Sequence, residues 1–274
     1  MVSHLPSGVP RSLGWRLMAF AREQLRLAQL HLGHTGEARH VGIHQARKCI
    51  RRARATLALG ARIFDRRAQR LDDELGRLCR GLSPLRDAQA LIETLRRLTT
   101  TAPAPIQAIL PLAEREACQR RDQLLQRALT RDPEFMARRQ RLLVAQTRLE
   151  RLDWWALDAA VVSAAVMRSG KRAGKAAHSA THHPDDNHAW HVYRRRLRRL
   201  HQQDTLLADI EPELRPVLVQ SLQKQASLLG ESQDDALLLA HTGSRSPFPP
   251  GQRKLLRSMA RERLQRTRRG QARM

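Results

Sequence analysis

Apolar residues recur at helical spacing along most of the chain. From about Arg11 to His31, Leu13, Leu17, Phe20 and Leu27 mark one face of a first helix, which the turn-like Gly33 to Gly36 segment ends. Glu37 to Asp65 predicts the next helix. Phe64, Ala68, Leu71, Leu75, Leu78 and Leu82 then step by four and three through a further amphipathic segment. Ser83 reads as an N-cap with Pro84 at the first helical position, opening a helix whose buried side is Leu85, Ala88, Ile92 and Leu95. Beyond the Thr99 to Pro105 break the pattern predicts two more helical stretches, the second opened by Asp132 and Pro133, and then another over Trp154 to Arg168. From Ser169 to Asn187, Gly, Lys, His, Ser, Thr, Pro and Asp replace the periodic pattern, so 169–187 reads as a flexible linker. Helices resume near His188, near Pro212, after Ser232, and from Gln252 to about Arg269. No stretch alternates in the manner of a strand.

Composition agrees with that pattern. Aromatic residues make up 3% of the chain, and strand-favouring residues are scarce beside Leu, Ala, Arg, Gln and Glu, so the expected fold is all-α. With 274 residues, 41% of them hydrophobic, one domain of two intimately packed halves is expected, 11–152 and 153–270. Fifty basic side chains against 26 acidic ones leave a formal charge of +24, which calls for an anionic partner. Only Lys48, Lys171, Lys175, Lys224 and Lys254 are lysines. The arginine excess favours phosphate, whose oxygens a guanidinium meets two at a time. Genomic base composition can also inflate Arg, Ala and Leu, so placement has to carry more weight than number.

Placement is distinctive. His44-Gln-Ala-Arg47-Lys48-Cys-Ile-Arg51-Arg52 matches His191-Val-Tyr-Arg194-Arg195-Arg-Leu-Arg198-Arg199 at an ungapped offset of 147 residues. Apolar positions coincide too, Ile43 with Trp190, Ile50 with Leu197 and Ala53 with Leu200. The same offset sets Leu82 on Leu229 and Asp87 on Asp234. On a helix, His44, Arg47, Lys48, Arg51 and Arg52 share an arc of about 140°, opposite Ile43, Ala46, Ile50, Ala53 and Leu57. His191, Arg194, Arg195, Arg198 and Arg199 divide from Trp190, Tyr193, Leu197 and Leu200 in the same way.

A solvated helix face normally mixes its charges, because like charges at i,i+4 repel by roughly 0.2–0.5 kcal/mol per pair. No acidic residue interrupts either stripe, so both are read as polyanion-binding surfaces lining a common groove. Each histidine lies inside its cationic arc. Surrounding guanidiniums should favour its neutral form, and a bound phosphate its protonated form, so binding should strengthen modestly on acidification. Asp87 and Asp234 are expected in the first turn of a helix, as orienters of neighbouring basic groups. Ser232 to Asp235 resembles a capping box with Asp in the Glu role.

The His-x-x-Arg-Lys-x-x-Arg-Arg helix followed by Leu82-Ser-Pro-Leu-Arg86-Asp87 resembles the first half of the CHAD family, the conserved-histidine α-helical domain. The 191–199 helix with Leu229-Gly230-Glu-Ser-Gln-Asp234 is similar to its second half, and the likeness spans nearly the whole chain. It implies two pseudo-repeated helical bundles around a basic cleft or pore, and binding of inorganic polyphosphate, often at polyphosphate granules in bacteria. Carried onto matching positions, the implied ligand residues are His44, Arg47, Lys48, Arg51, Arg52, Arg54, His191, Arg194, Arg195, Arg198 and Arg199, with Arg86, Asp87 and Asp234 as orienting groups. His201 and Gln202 depart from the pattern, which usually has Arg and Tyr there. The family's frequent companion, a triphosphate tunnel domain with its Glu-x-Glu-x-Lys strand, has no counterpart here, so hydrolysis is not implied.

Other classes have weaker signals. Cys49, Cys79 and Cys118 form neither a metal-type pair nor an even framework, which points to a reducing cytosol. Met1 to Arg11 lacks an apolar core of signal-peptide length, and the longest nearly apolar run, Ala159 to Met167, is too short to cross a bilayer. The expectation is a cytoplasmic protein, at polyphosphate granules or free, with no membrane partner. A sequence-nonspecific nucleic-acid-binding protein is the main alternative, although Tyr193 is the only tyrosine and stacking platforms are few. A metal-dependent phosphohydrolase would need a ligand set such as His178, His182, His183 and His188 with Asp185 and Asp186, which the linker reading covers. No phosphate loop or nucleophile motif is present, so no enzyme and no cofactor are expected.

Overall fold

The computed structural model describes residues 12–215, 219–244 and 246–272, and among these the fold is all-α with no strand. Residues 1–11, including the stretch read above for a leader, lie outside it. In chain order the helices are α1 (Leu13–Leu32), α2 (Ala38–Leu57), α3 (Arg66–Gly81), α4 (Ser83–Leu98), the single turn α5 (Ala104–Gln107), α6 (Leu110–Arg131), α7 (Met136–Glu150), α8 (Ala159–His182), α9 (Asn187–Ile210), α10 (Val219–His241) and α11 (Pro250–Ala272).

Local chemistry sets many of these ends. The side chains of Ser12, Asp65, Asp158 and Asp186 each accept a hydrogen bond from a backbone N–H of the first turn of α1, α3, α8 and α9. The Glu37 to Asp65 stretch divides, with α2 closing at Leu57 and a turn carrying the chain to α3. Ser83 is not an N-cap. It is already the first residue of α4, and its hydroxyl accepts a 2.7 Å bond from the Arg47 guanidinium instead. Asp132 does organise the next start: its carboxylate accepts from the Ala137 N–H at 2.8 Å across a 3₁₀ turn and pairs with Arg138.

Two readings of the second half need correction. Residues 169–182 are not a linker but the continuation of α8, and the break is confined to 183–186. Ala173, Ala176 and Ala180 are buried at spacings of three and four, a small-residue face that packs α8 against α9. The Gly and His between them hid that face, and helix–helix packing supplies what local propensity lacks. Likewise no helix starts after Ser232, because α10 runs unbroken from Val219 to His241. Pro84, which separates α3 from α4, has Glu231 at the position 147 residues later, so nothing breaks the second copy. The capping-box reading of Ser232 to Asp235 falls with it. Asp235 is buried and accepts instead from Arg263 of α11 at 3.0 Å.

The buried side chains form two cores, and neither coincides with a half of the sequence. The larger draws on α1, α2, α3, α7, α8 and α9, with Leu17, Leu25, Ile43, Ile50, Leu75, Phe135 and Val162 among its fully covered residues. The smaller joins α4, α5 and α6 to α10 and α11 through Ile92, Leu95, Leu110, Ala113, Leu238, Leu256 and Ala260. α2 packs on α9 in the first core and α4 on α10 in the second, while α2 also touches α4, and α9 touches α10. α2, α9 and α4 therefore meet where the two cores adjoin.

Candidate functional site

On α2 the apolar arc is buried as its periodicity requires: Ile43, Ala46, Ile50, Ala53 and Leu57 are each at most 3% exposed. That burial fixes the rotation of the helix and turns His44, Arg47, Lys48, Arg51 and Arg52 to the other side. On α9, Trp190, Leu197 and Leu200 are buried and do the same for the second stripe. α2 and α9 are tied where Gln203 Nε2 donates to the buried carbonyl of Ala55 at 3.0 Å. The two stripes consequently converge.

Five guanidiniums from three helices form the centre: Arg47 and Arg51 of α2, Arg86 of α4, and Arg194 and Arg198 of α9. Burial, followed by repulsion from Arg51 and Arg194, pushes Arg198 down to about 9. Burial and the nearby Arg86 push Arg194 down to about 10, against a partial pull upward from Asp234 and Asp87. Arg51 is lowered too, by burial first and then by Arg47, Arg86 and Arg52. At Arg51, Arg194 and Arg198 the positive charge is thus desolvated and repelled by its neighbours.

Compensation is sparse. Among the described residues no carboxylate forms an ion pair with Arg47, Lys48, Arg51, Arg52, Arg194, Arg195, Arg198 or Arg199. Arg47 is oriented by neutral acceptors, the Cys79 carbonyl and the Ser83 hydroxyl. The Nε atoms of Arg47 and Arg51 are buried with no hydrogen-bond partner among the described residues. Asp87 is the fifth residue of α4, past its first turn, and approaches Arg86 at 3.5 Å. Asp234 lies within α10 rather than in a first turn, and binds Arg97 of α4 at 2.6 Å, clipping α4 to α10.

A recess flanks each histidine. His44 lines one of about 170 Å³ together with His40, Val41, Arg86, Gln89 and Glu93. His191 lines another of about 260 Å³ with Asn187, Trp190, Gln233, Ala236, Ala240, Arg268 and others. The 147-residue offset maps His40, His44, Arg86, Gln89 and Glu93 onto Asn187, His191, Gln233, Ala236 and Ala240, so the two hollows occupy matching places along the repeat. Both histidines are lowered below their ordinary range, chiefly by burial and then by guanidiniums, Arg86 beside His44 and Arg195 beside His191.

The sequence pattern of the CHAD domain matches residues 19–243. The chain belongs to the CHAD family. Among solved structures it resembles the crystal structure of the CHAD domain from the plant Ricinus communis, with TM-score 0.62 and 18% identity over 98% of this chain and 94% of that one. It also resembles PptA from Streptomyces chartreusis, with TM-score 0.62 and 20% identity over 95% of this chain and 97% of that one. At these identities the likeness speaks for the fold. A comparison with curated proteins gives no match.

Not every position that the CHAD resemblance singles out joins the cluster. Arg54 is held by Asp72 in a two-bond pair, 2.8 Å on each side, so its charge is already met. Arg199 lies on the same flank, lowered by burial and raised in part by Asp72. Lys48 stands beside His44, and Arg195 is exposed near His191. Arg86, expected only to orient, lies within the arginine cluster, close enough to lower Arg194. Arg97, Asp72 and Arg268 carry no signal in the sequence pattern. Their partners lie 137, 18 and 81 residues away and leave no periodic mark. His178 and His182 do stack, with ring centroids 3.9 Å apart, but no group of three potential ligands that could hold a metal exists among the described residues. No helix among them is long and apolar enough to cross a membrane.

Proposed function

We propose that the protein binds inorganic polyphosphate through the arginine cluster between α2, α4 and α9, as a binding protein rather than an enzyme. One observation carries this reading: five guanidiniums converge, two of them pushed down to about 9 and 10, with almost no carboxylate to meet them. Burying cations that repel one another costs stability unless an anion neutralises them, and a chain of phosphates provides closely spaced charges with paired oxygens for guanidinium forks. The CHAD resemblance directs the choice toward polyphosphate. α2 and α4 carry no aromatic residue and α9 only Trp190 and Tyr193, so successive bases of a nucleic-acid strand would find few stacking platforms along the cluster, which directs the choice away from nucleic acid. Through such a ligand the protein would gather at polyphosphate granules.

Competition tests this. Long-chain polyphosphate should displace a labelled single-stranded or duplex DNA at lower phosphate concentration, whatever the base sequence, and both affinities should fall with salt. Tighter retention of DNA would reverse the assignment, and release of free phosphate during the incubation would show turnover instead of simple binding.

A further inference from the structure

The two histidine recesses occupy matching places but differ in chemistry. The one beside His44 is walled by Arg86 and Glu93. At the same places the one beside His191 has Gln233 and Ala240, so it loses both charges and gains room, about 260 Å³ against about 170 Å³. Its floor is apolar, made by Trp190, Leu229 and Leu239. Its edge carries two carboxamides: Gln233, able to present a donor and an acceptor side by side, and Asn187, whose amide N–H groups supply donors.

A cation closes the far side. Arg268 of α11 is 6% exposed, with its guanidinium 5.7 Å from the Trp190 ring centre and Nη2 donating to Asn187 Oδ1 at 2.7 Å. Its buried Nε has no partner among the described residues. On the near side the recess runs into the second stripe, because Asn187, His191, Arg194 and Arg198 follow one another along a single face of α9. An unsubstituted polyphosphate carries nothing that would use an apolar floor rimmed by amides. A flat, heteroatom-edged group joined to a short chain of phosphates would use the whole surface.

Building on the polyanion-binding reading, we propose that the His191 recess is a base subsite for a nucleoside polyphosphate, whose phosphates lie along His191, Arg194 and Arg198. Asn187 and Gln233 meet the edge of the heteroaromatic ring, and Trp190, Leu229 and Leu239 take its apolar surface. The recess beside His44, with Glu93 in its wall, has no such subsite. The protein therefore holds a nucleotide at one end of the cationic groove only.

Calorimetric titration of the full chain with ATP and with tripolyphosphate, each without metal, separates the two readings because both ligands carry three phosphates. The wild-type protein should bind ATP about tenfold more tightly, a difference of about 1.4 kcal/mol. Ala240→Leu, at an exposed position, and Ala236→Leu fill the recess and should remove that advantage while leaving tripolyphosphate binding unchanged. Equal affinities for the two ligands, or an ATP advantage that survives both substitutions, would overturn the base subsite and leave the arginine cluster standing. Failure of both ligands to bind would overturn the cluster reading as well.

Discussion

At the scale of the residue, the site is a set of arginines held where water and counter-charges are scarce. Lowering of Arg198 to about 9 and Arg194 to about 10 has two consequences of opposite sign. The unfolded chain holds those protons more firmly than the ligand-free fold does, so this contribution to stability rises with pH through the range above 9. The proposed polyanion would, by contrast, favour the charged forms, so its affinity should fall as pH passes 9, where the free protein would surrender protons that binding must restore. His44 and His191 add an acid limb, because phosphate raises what burial and the guanidiniums have lowered. A polyphosphate titration from pH 5.5 to 10.5 should show affinity greatest at the acid end, modestly lower at neutrality and falling steeply above about pH 9. A profile that is flat above pH 9 would show the arginines fully charged in the free protein. The stripe residues were legible in the sequence because apolar periodicity fixes helix rotation. Arg97 and Arg268 were not, since Asp234 and Asn187 reach them only through tertiary contact.

At the scale of the element, close approach and proline placement decide what periodicity leaves open. Gly14 of α1 sits so near the 3₁₀ turn at Trp154–Ala156 that an added Cβ would lie 1.8 Å from the Trp154 carbonyl oxygen. Gly14→Ala should destabilise the protein by about 1–3 kcal/mol in urea unfolding. Gly174 lies within α8 with nothing within 4 Å of such a Cβ. Gly174→Ala should stabilise by about 0.4–1 kcal/mol, as expected for a helical position and not for a linker. No change or a loss there would argue against helix over 169–182. The existence and phase of α1 to α4 could be read from the sequence because Leu and Ala recur with long, regular faces. The second part of α8 could not, because its buried face is only Ala173, Ala176 and Ala180 among Gly, Lys and His. The continuity of α10 turns on a single missing proline.

At the scale of the whole molecule, both cores mix helices from the two ends of the chain, and the arginine cluster lies where those cores adjoin. Offsets within the sequence identified which helices correspond, but not how they group. That grouping depends on contacts such as Gln203 to Ala55 and Arg97 to Asp234, 148 and 137 residues apart. It also brings Arg86 of α4 to the arginines of α2 and α9, which makes the cluster a property of the assembled fold. Gln203 is fully buried, and Gln203→Met leaves the Ala55 carbonyl without its donor, so about 1–3 kcal/mol of stability should be lost in urea unfolding. An unchanged midpoint would show that this tie contributes little to the packing of α2 on α9. The most direct test is the dissociation constant of long-chain polyphosphate for the wild-type protein, Arg51→Ala, Arg198→Ala and the double variant at one fixed salt concentration, with helicity checked by circular dichroism. Each single substitution should weaken binding by about 1.5–3 kcal/mol, roughly 10- to 150-fold, and the double variant by more than either. Wild-type affinity in a fully helical double variant would contradict the site.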